Sequence, residues 1–99
     1  MPTTATIKSE HKSPDGKYVA TAFVKDAGAT TSWSPQVDLR RVGESMDRYG
    51  NVFVGYGSPN IETEWLTLSQ LVVCCDWTCE VNLNVANYHG IAIGIRHPK

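Results

Sequence analysis

Ninety-nine residues make one domain, spanning 1–99, and a composition of 41% hydrophobic and 19% charged residues is globular rather than disordered. Nine Lys and Arg against ten Asp and Glu leave a net charge of −1, which excludes a strong electrostatic drive toward nucleic acid or anionic membranes. A chain this short buries one modest core and has no room for a deep cofactor cavity besides.

Met1 to Glu10 is polar, with no apolar run behind a basic start, so no secretory signal is expected. The longest apolar stretch, Leu71 to Cys75, is far short of the ~20 residues that span a bilayer. The three cysteines are an odd number and Cys74 and Cys75 are adjacent. That is a poor disulfide framework and fits a reducing compartment. The expected location is cytoplasmic.

Period-two alternation dominates the chain, and helical periodicity is not sustained over any long window. Ala5 and Ile7 hint at a short first strand. Ser13-Pro14-Asp15-Gly16 is a turn: proline presets φ, aspartate bonds its own backbone, and glycine takes a positive φ. Lys17 to Lys25 reads as a strand with Tyr18, Ala20, Ala22 and Val24 on one face and Val19 and Phe23 on the other. Apolar groups on both faces predict a central strand covered on two sides.

Asp26 to Ser34 reads as a loop. Pro35 would block a ladder bond in a central strand, so the next strand is expected to start after it or to run at an edge. Gln36 to Val42 puts Val37 and Leu39 inward against Asp38 and Arg40 outward. Gly43 to Gly50 is a polar connection. Asn51 to Tyr56 follows, with Val52, Val54 and Tyr56 on one face and Phe53 on the other. Gly57 and Pro59-Asn60 break it. Ile61 to Thr67 and Leu71 to Trp77 read as two strands around Leu68-Ser69-Gln70, with a turn at Asp76 to Cys79. Glu80 to Ala86 alternates, Val81, Leu83 and Val85 in, Asn82 and Asn84 out. Asn87-Tyr88-His89-Gly90 closes a hairpin onto Ile91, Ile93 and Ile95, where Ala92 and Gly94 suit a closely approached opposite face. The fold expected is all-β: seven to eight short, mostly antiparallel strands in a meander, forming a small sandwich or half-open barrel.

The run Ser13 to Ala20 resembles the strand-opening turn of bacterial β-propeller blades. A longer pattern is more specific. It comprises that turn and strand, Asp26-Ala27-Gly28-Ala29-Thr30-Thr31-Ser32, Val37, Gly50-Asn51-Val52-Phe53, Trp65 before Leu71-Val72-Val73, and Tyr88-His89-Gly90-Ile91-Ala92-Ile93. It resembles a bacterial family of small domains of unknown function, often secreted or lipid-anchored, over about Ser13 to Ile95. The resemblance implies an all-β fold and implies no activity, cofactor or catalytic residue.

Among chemistry-bearing side chains, Cys74 and Cys75 point to opposite faces of a strand and cannot readily share an ion. Cys75 and Cys79 span a turn that His89 could approach, but zinc needs three or four converging ligands. Buried apolar cysteines are the expectation, and no metal site. His11, His89 and His97 sit in no ligand or base motif. No G-x-S-x-G elbow is present, and no catalytic residue is assigned. Glu62 and Glu64 share one strand face and read as solvated charges guarding an edge. Arg40-Arg41 and Arg96 to Lys99 make no long basic stripe.

The segment singled out for binding is the loop with Gly28, Thr30, Thr31, Ser32 and Trp33. Small residues allow close backbone approach, hydroxyls adapt their hydrogen bonds, and tryptophan anchors interfaces. Tyr56 and Tyr88, with Tyr49, could extend it into an aromatic patch. Trp33 tucked into the core is the competing expectation. The function these features imply is a non-catalytic protein-binding module, such as a small inhibitor or immunity-type protein that occludes another protein. It would have no cofactor and no nucleic-acid or membrane partner. The alternatives are a self-assembling β domain dimerising through an edge strand, and then a small-ligand binder or enzyme.

Overall fold

A computed structural model describes residues 4–26, 33–45, 50–76 and 79–97. Every regular element among them is a strand: β1 (Thr4–Lys12), β2 (Tyr18–Asp26), β3 (Trp33–Arg41), β4 (Phe53–Tyr56), β5 (Ile61–Thr67), β6 (Gln70–Cys75), β7 (Glu80–Asn84), β8 (Asn87–Tyr88) and β9 (Ile91–Arg96).

Local chemistry sets the turns. Ser13 Oγ donates to Asp15 Oδ1 at 2.6 Å and accepts from the Tyr18 N–H at 3.1 Å, while Gly16 takes φ 73°. Those bonds close the β1–β2 hairpin. His89 and Gly90, at φ 51° and 86°, form the doubly left-handed turn that suits a two-residue hairpin between β8 and β9.

The strands form two open sheets, ordered β1-β2-β3-β4-β7 and β5-β6-β9-β8. They stack as a sandwich. Ala20, Ala22, Val24, Val37, Leu39, Val52 and Phe53 of the first sheet meet Ile61, Leu71, Val73, Cys75, Ile91 and Ile93 of the second. The Trp65 indole N–H donates to the His11 carbonyl at 3.0 Å, tying β5 to β1.

Several expectations are corrected. Among the described residues the strands number nine, and their order is not that of a meander. β7 leaves the second sheet to pair with β4, and β9 returns to lie parallel to β6. A parallel pair needs a crossover, and β7 in the opposite layer supplies it. The segment Asp26 to Ser34 is shorter as a loop, because Asp26 pairs with Trp33 at the mouth of the β2–β3 hairpin.

Pro35 lies inside β3, buried and opposite Val24, in a strand flanked on both sides. Extending the β3–β4 register puts it opposite Gly55, whose carbonyl accepts from Ser34 Oγ at 2.7 Å instead. A serine hydroxyl thus replaces the donor that proline lacks.

Val81 and Leu83 are exposed rather than inward, because β7 is an edge strand whose five side chains are all exposed. Val52 precedes β4 and is buried with Phe53 in the core. The face of β9 carrying Ala92 and Gly94 is open, and a Cβ built on Gly94 would meet nothing within 4 Å.

β2 is central and buried on both faces, as its pattern predicts. On the outer face, register aligns Ile7, Phe23, Gln36, Val54 and Leu83 in one row across all five strands. A polar row lies beside it. Arg40 Nη1 donates to Thr21 Oγ1 at 2.9 Å and to Asp38 Oδ2 at 3.1 Å, and Nη2 reaches Glu10 Oε2 at 3.2 Å. Asp38, placed outward by the alternation, is nonetheless buried within this network.

Candidate functional site

Strand β7 ends the five-stranded sheet, and its outer backbone edge has no strand beside it among the described residues. Val85 N–H donates to the Val52 carbonyl at 2.9 Å, and Leu83 pairs with Val54. By the antiparallel period of two, Leu83 turns its backbone groups toward β4 and Asn84 turns its own outward. Val81 and Leu83 are each 40% exposed, and Tyr56, paired with Glu80 at the start of β7, is exposed too. An open backbone edge with apolar side chains on it can accept a further strand.

Of the residues singled out from sequence, Gly28, Thr30, Thr31 and Ser32 lie outside the described residues, as does Tyr49. Trp33 is 42% exposed at the start of β3, where its carbonyl accepts from the Gly57 N–H at 2.8 Å. Trp33 and Tyr56 therefore share one end of the five-stranded sheet. Alternation sets them on opposite faces, Trp33 with Pro35 and Val37, Tyr56 with Val54. Tyr88 is half-buried against the core in β8, its ring edge-on to His89 with centroids 4.4 Å apart.

Tyr88 pairs with Ile91, which lines a cleft of about 610 Å³ with Tyr18. Tyr18 and Asp26 are the two ends of nine-residue β2, roughly 26 Å apart at about 3.3 Å per residue. Trp33 pairs at the Asp26 end. The structure thus brings Trp33 and Tyr56 near one another and leaves Tyr88 at the other end.

A second cleft, about 550 Å³, opens where the chain crosses between the sheets and is lined by Lys8, Asn60, Glu62, Cys74, Arg96 and His97 among others. Glu64 pairs with Arg96, whose Nη2 also lies 3.5 Å from Cys74 Sγ. Asp76 accepts from Ser58 Oγ at 2.9 Å and from Asn60 Nδ2 at 2.7 Å. These bonds from Asn60 and Ser58 hold its carboxyl below the ordinary 3.8, and they tie the β4–β5 crossover to the start of the β6–β7 crossover.

The His97 Nδ1–H donates to the Cys75 carbonyl at 3.1 Å, while His89 is exposed in its hairpin turn. Among the described residues no group of three or more His, Cys, Asp or Glu side chains could hold a metal ion. No described helix is long and apolar enough to cross a membrane.

The family model for DUF5412, a family of unknown function, matches residues 1–89. The chain belongs to that family. The match takes in strands of both sheets through β8. No curated protein and no solved structure matches the chain.

For this DUF5412 member, the residues that sequence reasoning missed are Val81 and Leu83. Their alternation with Asn82 and Asn84 is the pattern of a half-buried strand. The signal that could have found them is composition: one Glu and two Asn in five residues suit an edge better than a core strand.

Proposed function

We propose that this DUF5412 domain is a non-catalytic protein-binding module that pairs with a strand of its partner along β7. In that role it acts as a small inhibitor or immunity-type protein occluding another protein in the bacterial cytoplasm. The observation that carries the reading is the open β7 edge, with Val81 and Leu83 each 40% exposed. Main-chain bonds to such an edge give affinity, and alternate side chains give specificity. The net charge of −1 argues against nucleic acid as the partner, and the three free thiols accord with a reducing location.

The test is affinity capture from the native host with wild type, Asn84→Pro and Trp33→Ala, each checked for fold by circular dichroism. Asn84→Pro removes an outward N–H and leaves the bonds to β4 in place. A partner lost with Asn84→Pro and kept with Trp33→Ala supports strand addition at β7. A partner kept by Asn84→Pro and lost with Trp33→Ala moves the interface to the Trp33 end of the sheet. No partner bound by wild type removes the reading.

A second reading uses the same edge for self-association. Two copies of β7 paired antiparallel about Asn82 set Glu80 opposite Asn84 and Val81 opposite Leu83, so no like charges face each other. Light scattering decides this reading, and a strict monomer at all concentrations rules it out.

A further inference from the structure

We propose that the cleft of about 610 Å³ at the Tyr18 end of the sandwich binds a small carboxylic acid with an apolar body. A volume of this order is that of a small-ligand site. Its walls come from both sheets. The first sheet supplies the ends of β2 and β3, where Tyr18 pairs with Arg41. The second supplies two turns, Leu68-Ser69 between β5 and β6 and His89-Gly90 between β8 and β9. None of the described residues lining the cleft belongs to β7, so the site is separate from the edge proposed for strand addition.

Backbone bonds hold these walls in place. The Val42 N–H donates to the Lys17 carbonyl at 3.0 Å and closes the end of the β2–β3 pair. The Ala92 N–H donates to the Ser69 carbonyl at 2.8 Å and holds the β5–β6 turn against β9. Buried Ile91 and half-buried Tyr18 give the cleft an apolar lining that continues the core. Val42 and Leu68, 44% and 57% exposed, add large apolar side chains that the fold itself leaves to solvent. An apolar ligand body set against them removes that surface from water.

The charged groups of the cleft select the sign of the ligand. The Arg41 guanidinium carbon stands 5.8 Å from the centroid of the Tyr18 ring, a contact that restrains the cation without using its N–H donors. Lys17 lines the same cleft. Among the described residues neither cation forms an ion pair: the pairs found there join Arg40 to Glu10 and Asp38, and Arg96 to Glu64. Asp15 is the one carboxylate among the described lining residues. It already accepts from the Ser13 hydroxyl and the Lys17 N–H, and the Lys17 charge attracts it less than those bonds do. The cleft therefore has an excess of positive charge beside exposed apolar carbon. The guanidinium fork matches the two oxygens of a carboxylate, and the Lys17 ammonium adds a further donor.

The experiment titrates the full isotope-labelled chain with phenylacetate, sodium chloride holding the ionic strength constant, and follows the backbone amide resonances. A saturable response centred on Lys17, Arg41, Ser69 and Gly90 is expected, with a Kd on the order of 1 mM for so small a ligand. Phenylacetamide, which lacks the charge, and acetate, which lacks the apolar body, are each expected to bind about tenfold more weakly. Arg41→Gln should weaken phenylacetate by about tenfold and leave phenylacetamide unchanged, whereas Leu68→Ser should weaken both. The amide spectrum of each variant shows that it is folded. No saturable response from wild type, a response centred elsewhere, equal binding of acid and amide, or wild-type affinity in Arg41→Gln would each overturn the proposal.

Discussion

Ser34 Oγ donates to the Gly55 carbonyl at 2.7 Å, at the place in the β3–β4 ladder where Pro35 has no N–H to offer. The same hydroxyl accepts from Gln36 Nε2 at 3.1 Å. Ser34→Ala leaves a carbonyl unmet beside a buried proline, and the expected loss of stability is about 1–2 kcal/mol. Chemical denaturation measures it. A Ser34→Thr variant, which keeps the hydroxyl, is expected to lose less.

Gly55 faces Cys79 Sγ, Phe53 Cε1 and Pro35 Cγ, which a Cβ would approach to 2.6, 3.2 and 3.2 Å. Gly55→Ala overpacks this corner and is expected to destabilise by roughly 1–3 kcal/mol. Cys79→Ala removes the nearest atom. The double variant should recover part of the loss, a coupling read from a double-mutant cycle. Strictly additive effects would show that the two residues do not meet.

Arg40 joins three strands through Glu10, Thr21 and Asp38 on the outer face of the first sheet. Asp38 is buried, and Arg40 keeps 16% of its side chain exposed. Arg40→Met preserves the stem and removes the guanidinium from a buried carboxylate. Its expected cost is about 2–3 kcal/mol, that of losing charged hydrogen bonds in a half-buried setting. Urea unfolding measures it, and a neutral result would remove the network from the account of stability.

Three carboxyls sit below their ordinary values in the folded state. Thr21 and then Arg40 hydrogen bonds lower Glu10, the Ser13 hydroxyl and Lys17 N–H lower Asp15, and Asn60 and Ser58 lower Asp76. Depressed folded values mean that the unfolded chain takes up these protons first as the pH falls. Their stabilisation is complete above the ordinary carboxylate range near ~4 and is lost as the pH falls through the lower folded values. The urea midpoint should therefore hold from neutral pH down to that range and then drop. Asp76→Asn should shallow the drop, and an unchanged acid limb would contradict the assignment.

The strand-forming character of this chain was legible in its sequence, because side-chain alternation and turn chemistry are local. Ser13-Pro14-Asp15-Gly16 and His89-Gly90 carry their turns in their own residue types, and the paired apolar faces of β2 announced a central strand. Cys75 and Cys79 were legible as small apolar side chains, and both are buried in the core. Pro35 misled, since the remedy for its missing donor is a hydroxyl on the preceding residue acting on a strand about twenty residues away in the chain. Val81 and Leu83 misled because alternation reports that two faces differ without saying whether anything covers the apolar one.

By itself, then, the sequence determined an all-β fold with its turns, most of its strands and many of its inward apolar residues, all set by interactions among near neighbours. Only the tertiary structure decided that β7 crosses to the other sheet, that β6 and β9 run parallel, and that an edge carrying Val81 and Leu83 stands open. Those outcomes depend on which strand pairs with which. Pairing between distant segments is selected by the packing of the whole core and leaves no periodic trace in either segment alone.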